Sequence, residues 1–334
     1  MCTSCGIELS RRALLGGFAA TAGLAALAGV ARAAAPGACW SPAELAGTAA
    51  EKVERRATAA DAFAMPGPAA AAAPVPAALA GVIRRVNLPA GQKTIALTFD
   101  LCQTVSPIAG YDAAIVDYLR ANLVPATFFP SGRWLETHRE RAAELVADPL
   151  FAVGNHSFDH PDLHNAGSAK VASEILLTET SLARARSAAS AQCGREIAAP
   201  ALRLFRFPYG SCAASGVGDA NGIGSVIIQW DVVSGDPDGT SVAEITRNVL
   251  REVRPGSISV MHANGRGTHT AEALAVLVPR LRAMGYSFAT VPDLLAAGSA
   301  EPATACYIEK PGDTARYDDK IARHGKPATA GKAA

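Results

Sequence analysis

The run Lys93-Thr94-Ile95-Ala96-Leu97-Thr98-Phe99 (KTIALTF) passes directly into Asp100-Leu101-Cys102-Gln103-Thr104, and the reading of that junction decides the fold. Ile95 to Phe99 is largely apolar and is bounded upstream by Gly91, the pattern of a short buried strand. A carboxylate at the exit of such a strand is either a turn residue or an acid–base group.

Similar runs recur downstream at Ala126–Pro130, Ala152–Asn155, Leu204–Phe207, Ser225–Val233, Ser257–Met261 and Ser287–Val291. Helical patterns separate most of them: Asp112–Asn122, Thr137–Ala147, Ser168–Ala188, Val242–Val253 and Thr270–Met284. Alternation of this kind over about 210 residues predicts a parallel sheet wrapped by helices, an α/β fold. Its length and number of units favour a barrel over an open dinucleotide-binding sheet, and no Gly-rich phosphate loop follows the first strand. In a barrel, polar residues at the carboxyl ends of the strands form the site.

The exits can therefore be read across. The first strand ends in Asp100, and the third runs into Asn155-His156-Ser157-Phe158-Asp159-His160-Pro161 (NHSFDHP). The fourth carries Arg206 and enters Pro208-Tyr209-Gly210; the fifth passes Trp230-Asp231 to Gly235-Asp236-Pro237-Asp238. The sixth ends in His262, ahead of Ala263-Asn264-Gly265-Arg266-Gly267. His156 and His160 are four apart; on a helical turn they share a face, so both imidazoles can reach one ion. A hydrogen-bonded surface pair is the alternative, but a strand-to-loop position in a chain of only seven histidines favours metal ligation. His262 becomes a candidate general acid at its strand exit. Arg206 either pairs with a surface acid or, on an inner strand, orients Asp100. Asp236, between Gly235 and Pro237, suits a turn as well as a functional role.

Composition narrows the partners. Of 334 residues, 31 are Lys or Arg and 30 are Asp or Glu, so the formal net charge of +1 gives no reason to expect nucleic acid. At the N-terminus, Ser10-Arg11-Arg12-Ala13-Leu14-Leu15 leads into an Ala/Gly-rich apolar stretch and the small-residue site Ala31-Arg32-Ala33. That reads as a cleaved twin-arginine export signal, against the alternative of an uncleaved anchor. The mature chain is expected in the periplasm or secreted, with no membrane contact after cleavage. Cys2 and Cys5 fall in the leader. Of the remaining Cys39, Cys102, Cys193, Cys212 and Cys306, an odd number, Cys39 with Cys306 and Cys102 with Cys212 are the pairings that position allows. Residues 34–85 are Ala/Pro-rich and read as linker, apart from a short helix within Glu44–Phe63. Residues 299–334 read as a largely disordered tail, its start tethered by Cys306 and Tyr307.

Taken in order, TFDLC at 98–102, NHSFDHP at 155–161, RFPYG at 206–210, WDVVSGDPD at 230–238 and VMH at 260–262 resemble the polysaccharide deacetylase family, the NodB-homology domain. The resemblance covers about Val86 to Gly298. It implies a distorted (β/α) barrel of about seven parallel strands over residues 86–298, a single catalytic domain behind the signal peptide of residues 1–33. It further implies an exported, metal-dependent hydrolase that removes N-acetyl groups from a GlcNAc-containing polysaccharide or oligosaccharide. His156 and His160 would hold a divalent ion (zinc, with cobalt or manganese as alternatives) and Asp100 would be the general base, fixed by Arg206. The Tyr209 backbone N–H would hold the oxyanion, and His262 would protonate the leaving amine, tuned by Asp236. Trp230, Arg266 and His269 are candidate substrate contacts.

The chain departs from the family at two places. The usual first motif has two adjacent aspartates, the second a metal ligand; here that position is Leu101, which coordinates nothing. Pro237 stands where a tryptophan usually follows the aspartate of the fourth motif. The DPD and HANGRG segments resemble a deacetylase-like branch that lacks the second aspartate, which implies a shared variant chemistry. Asp100 itself could take the third ligand position, or Asp159, His164 or Cys102 could complete the set. Other readings are a silent barrel that binds polysaccharide and an amidohydrolase acting on a non-sugar amide.

Overall fold

A computed structural model describes residues 39–314 of the chain; the leader, with its twin arginines and Cys2 and Cys5, and the end of the tail lie outside the described residues. In chain order these form α1 (Pro42–Leu45), β1 (Val82–Ile83), β2 (Val86–Asn87), β3 (Thr94–Leu101), α2 (Ala113–Ala121), β4 (Ala126–Pro130), α3 (Gly132–Thr137) and α4 (Arg139–Ala147). There follow β5 (Phe151–Val153), α5 (Ser168–Cys193), β6 (Arg203–Phe205), α6 (Ala214–Gly222), β7 (Ser225–Ile228) and β8 (Val232–Val233). The last are α7 (Val242–Glu252), β9 (Ile258–His262), α8 (Thr270–Ala283), β10 (Ser287–Phe288), α9 (Val291–Ala297) and β11 (Ser299–Ala300).

One sheet has the order β5-β4-β3-β9-β8, with β10 added beside the start of β3; a second has the order β1-β7-β6. All pairs in both are parallel, and a parallel bridge between Asn155 and Phe205 joins them. The ring continues from β7 to β8 through the chain itself, where Gln229 N–H donates to Ile83 O and Asp231 N–H to Ile258 O. The result is the distorted (β/α) barrel expected, with β3 to β9 as its seven main strands. Ser225–Val233, read as one strand, is two strands in different sheets. The Asp231 carboxylate makes the corner by accepting from Ile258 N–H at 2.9 Å and Ser257 Oγ at 3.0 Å.

Alternation along β3 sorts the core. Ile95, Leu97, Phe99 and Leu101 pack outward into the main cluster beneath α2, α4 and α8. Ala96 packs inward with Phe129, Leu204, Val226, Ile228 and Ile258. Asp100 lies on this inner face and is paired in register with His262 of β9 and Phe129 of β4.

Three helices differ from expectation. The Thr137–Ala147 pattern is α3 and α4, broken at His138 (φ −124°, ψ 47°). Helix α5 continues past Ala188 to Cys193 and stops at Gly194, whose φ of 62° ends it in the left-handed region. Helix α6 has a Gly-rich sequence of low helix propensity, and its Val217 and Ala220 pack in the cluster of Val171, Phe205 and Phe207.

The segments outside the barrel are less loose than their composition implies. Between Glu44 and Phe63 the chain forms no helix beyond α1 and a short turn at Ala59–Asp61. From Glu44 to Ala72 the chain lies instead as a strap on the body, with Tyr111 N–H donating to Glu51 O, Ala69 N–H to Leu176 O and Ala72 N–H to Ile223 O. The two expected disulfides are replaced by Cys39–Cys193, which fastens the strap to the end of α5, and Cys212–Cys306. Cys212 is taken by Cys306, and Cys102 remains a free, buried thiol. Residues 299–314 are held by the Cys306 bridge, by Arg84 stacked 3.5 Å over Tyr307, and by bonds from Arg84 and Trp230 to Ile308 O. Ordered chain therefore extends past Gly298. No helix among the described residues is long and apolar enough to cross a membrane.

His138 gives the fold a defined acid response. Its ring stacks on Trp134 (4.7 Å, 7°), and Nδ1 lies 3.2 Å from Trp134 O. Burial pushes its pKa down to about 4. The unfolded chain therefore takes the proton first, so the stabilisation is complete above the unfolded value of about 6.5 and is lost as pH falls toward 4. Denaturant titrations at pH 7 and pH 5 are expected to show the wild type losing about 2 kcal/mol more than His138→Gln over that interval.

Candidate functional site

The inward-facing residues at the strand exits meet in one buried place. Asp100 Oδ1 accepts from Arg206 Nη1 at 2.7 Å, and its Oδ2 lies 3.5 Å from His156 Nε2. Arg206 is fully buried; its Nε donates to Ile228 O at 3.1 Å, and its guanidinium lies 4.0 Å over the Phe129 ring. Burial pulls the Arg206 pKa below its ordinary value, and the Asp100 charge opposes that pull. The guanidinium is thus fixed by backbone and ring before it meets the carboxylate.

On the other side of the site, Asp236 is completely buried and spends both carboxylate oxygens on neighbours. Oδ1 accepts from Ser234 Oγ at 2.9 Å and faces His262 Nδ1 at 3.0 Å. Oδ2 accepts from His262 N–H and from Thr270 Oγ1, each at 2.7 Å. Burial disfavours charge on His262, but the Asp236 carboxylate, by charge and hydrogen bond, outweighs it and raises the imidazole pKa well above the ordinary value. Asp236 is therefore no simple turn residue.

His156 and His160 do come together, with their Nε2 atoms 3.2 Å apart. They do so on a loop and not on the helical turn that their spacing invites: Ser157 and His160 have φ of 64° and 53°. With Tyr209 (φ 59°) these are three of the four non-glycine residues in the left-handed region among the described residues, so strained backbone gathers at this site. The loop is held by Glu174 of α5, buried to 1 % exposure, whose Oε2 accepts from the N–H groups of Phe158 and Asp159 at 2.7 and 2.8 Å. Asn155 Oδ1 accepts from Ser157 N–H at 3.0 Å. Nothing in the sequence distinguishes Glu174, because a glutamate in a long helix carries no mark of the loop it will cap.

The donor set fits a divalent ion. His156 Nδ1 lies 2.9 Å from Arg206 O, which makes it the protonated nitrogen and leaves the Nε2 lone pair toward His160. Among the described residues two groups have donor atoms within 4.8 Å of one another: Cys102, His156 and His160; and Asp100, Cys102 and His262. Two imidazoles with a thiol or a carboxylate are donors suited to zinc-like ions. Asp159 is engaged elsewhere, paired with Arg133 at 2.5 Å.

The expected substrate contacts divide. Tyr209 is exposed beside the His160 ring, at 4.7 Å between centroids. Arg266 and His269 are exposed, and Arg266 Nε is paired with Glu54 of the strap at 2.8 Å. Trp230, expected as a substrate contact, is not an open surface: it is 5 % exposed, and its indole N–H donates to Ile308 O of the C-terminal segment.

Comparison with known proteins gives a family. Residues 87–225 match the polysaccharide deacetylase family model. A chitooligosaccharide deacetylase of Bradyrhizobium sp. is 30% identical over 217 residues, covering 61% of this chain and 91% of that protein. A solved peptidoglycan N-acetylglucosamine deacetylase superposes with TM-score 0.54 and 27% identity, covering 64% of this chain and 93% of the other. A CE4 family pseudoenzyme from Bacillus anthracis gives TM-score 0.51 and 26% identity, over 65% and 69% of the two chains.

Glu174→Ala strips two buried N–H groups of a charged acceptor. Chemical denaturation is expected to show a loss of roughly 2–5 kcal/mol. A change below about 0.5 kcal/mol would remove Glu174 as the anchor of the histidine loop.

Proposed function

The chain belongs to the polysaccharide deacetylase family, and from that premise we propose that it is an exported, metal-dependent hydrolase removing N-acetyl groups from a GlcNAc-containing polysaccharide or oligosaccharide. The observation that carries the reading is the pairing of opposites across one buried site. A carboxylate held by Arg206 stands on one side, and an imidazole held by Asp236 stands on the other, in register on adjacent strands.

A divalent ion bound by His156 and His160, zinc or alternatively cobalt or manganese, would supply Lewis-acid polarisation of the acyl oxygen and acidify the attacking water. Asp100 accepts the attacking water's proton as general base, with Arg206 keeping the carboxylate aimed. The Tyr209 backbone N–H is assigned to the developing oxyanion. His262, held charged by Asp236, donates its proton to the departing amine, which would otherwise leave as an amide anion. Arg266 and His269 are placed as outer contacts for the glycan. The two disulfides support an oxidising compartment, in keeping with export through the Arg11-Arg12 signal. In this reading residues 86–298 form the catalytic domain and residues 1–33 are removed.

The purified protein, incubated with N-acetylated GlcNAc oligomers and zinc, cobalt or manganese, is expected to release acetate. Asp236→Asn should lower kcat by about 10²–10⁴ with KM little changed, since His262 acts on the leaving group and not on ground-state binding. Asp100→Asn should abolish turnover, but it also leaves the buried Arg206 without its counter-charge, at about 3 kcal/mol or more, so stability is measured beside it. No acetate with any metal, together with unchanged glycan binding in Asp100→Asn, would establish a silent polysaccharide-binding barrel instead. Turnover of small amides but not of glycans would establish a non-sugar amidohydrolase.

A further inference from the structure

We propose that Cys102 is the third protein ligand of the ion held by His156 and His160, making a Cys-His-His centre in place of the carboxylate that position 101 lacks. The proposal rests on the hydrolase reading only for the presence of an ion at this place.

The pleat of β3 carries the argument. Leu101 lies on the outward face with Phe99 and Leu97, fully buried in the main core, and reaching the site would require reversing the strand. Cys102 follows the parity of Asp100 and turns inward. Its Sγ belongs to both donor groups, with His156 and His160 in one and with Asp100 and His262 in the other, and it is the one residue the two groups share. It is also the single free cysteine among the described residues, and it is buried to 6 % exposure. The other four described cysteines are bridged, so an unprotected thiol stands out in a chain read as exported.

Hydrogen bonds fix the backbone from which the Cys102 side chain projects. Asn264 Nδ2 donates to Cys102 O at 2.9 Å, and the next residue, Gln103, donates its N–H to Ser131 Oγ at 3.0 Å. The two imidazole nitrogens, 3.2 Å apart, have the separation of about 3.3 Å that two nitrogen ligands of one tetrahedral zinc would show. Three protein donors with a fourth position open is the layout of a catalytic zinc site. A sulfur donor also sets metal choice, favouring zinc and cobalt over manganese and magnesium. On binding, the Cys102 S–H proton is released and the thiolate binds the ion.

The test reads the metal and not the reaction alone. Metal-stripped protein is loaded with one equivalent of Co(II) or Zn(II). Wild type is expected to show a near-ultraviolet sulfur-to-cobalt charge-transfer band. X-ray absorption at zinc is expected to show one sulfur at about 2.3 Å beside nitrogens at about 2.0–2.1 Å. Cys102→Ser should lose the band and bind zinc more weakly by over about 100-fold, since even outer partners of a ligand cost about 10–100-fold. Iodoacetamide should label Cys102 in the stripped protein and not in the loaded one. An ion bound through nitrogen and oxygen alone, or no ion bound at all, overturns the proposal, and both readouts use unaltered protein. So does acetate release that survives metal removal but not alkylation, which would make Cys102 a nucleophile. Acetate assays on the same samples separate the two readings. A sulfur-bound ion without deacetylation leaves the centre standing and removes the substrate assignment; deacetylation with a sulfur-free ion does the reverse.

Discussion

The pleat of β3 is the constraint from which the site follows. Because successive side chains of a strand face opposite ways, Phe99 and Leu101 are committed to the helix-covered core as soon as Asp100 faces the barrel interior. The main core cluster therefore fixes which residues can do chemistry. Apolar burial of Leu97, Phe99 and Leu101 sets the register of β3 against β4 and β9, and that register brings Asp100 beside His262. Slipping the strand by one residue would place Leu101 in the site and Asp100 among leucines, a cost that the barrel avoids by pairing β3 on both sides.

Buried charge is the second organising feature. Arg206 and Asp236 are both fully buried, and each would be costly alone. Arg206 is compensated by Asp100, two backbone carbonyls and the Phe129 ring; Asp236 by Ser234, Thr270, His262 and a backbone N–H. Such networks are fully made before any substrate arrives, which is what preorganised electrostatics requires. The histidine loop follows the same rule, with Glu174 anchoring backbone that would otherwise relax from its left-handed conformation.

Legibility differed by element for physical reasons. Helices α2, α7 and α8 were read within a residue or two, since each has an amphipathic pattern and a clear start. The fifth strand was misread as continuous because β-propensity does not register a corner made by a distant contact, here Asp231 with Ser257 and Ile258. Helix α6 and the strap were missed because both owe their shape to packing on the barrel, and neither has the local propensity to announce it. The disulfides differ from expectation because position along the chain does not say which cysteines the fold makes neighbours. Cys102 is in the site, whereas Cys212 lies near the C-terminal segment that carries Cys306.

By itself, the sequence determined the alternation of strands and helices, the membership of the barrel, and the order in which acid, base and histidines appear. Those depend on local periodicity and on residues sitting at strand exits, both written in the chain. The tertiary structure alone decided which of those residues touch. It turned His156 toward His160 through a strained loop, buried Trp230 and Asp236, and aimed Cys102 rather than Leu101 at the imidazoles. Contacts between residues a hundred or more positions apart depend on how sheets close and cores pack, and no local pattern encodes that geometry.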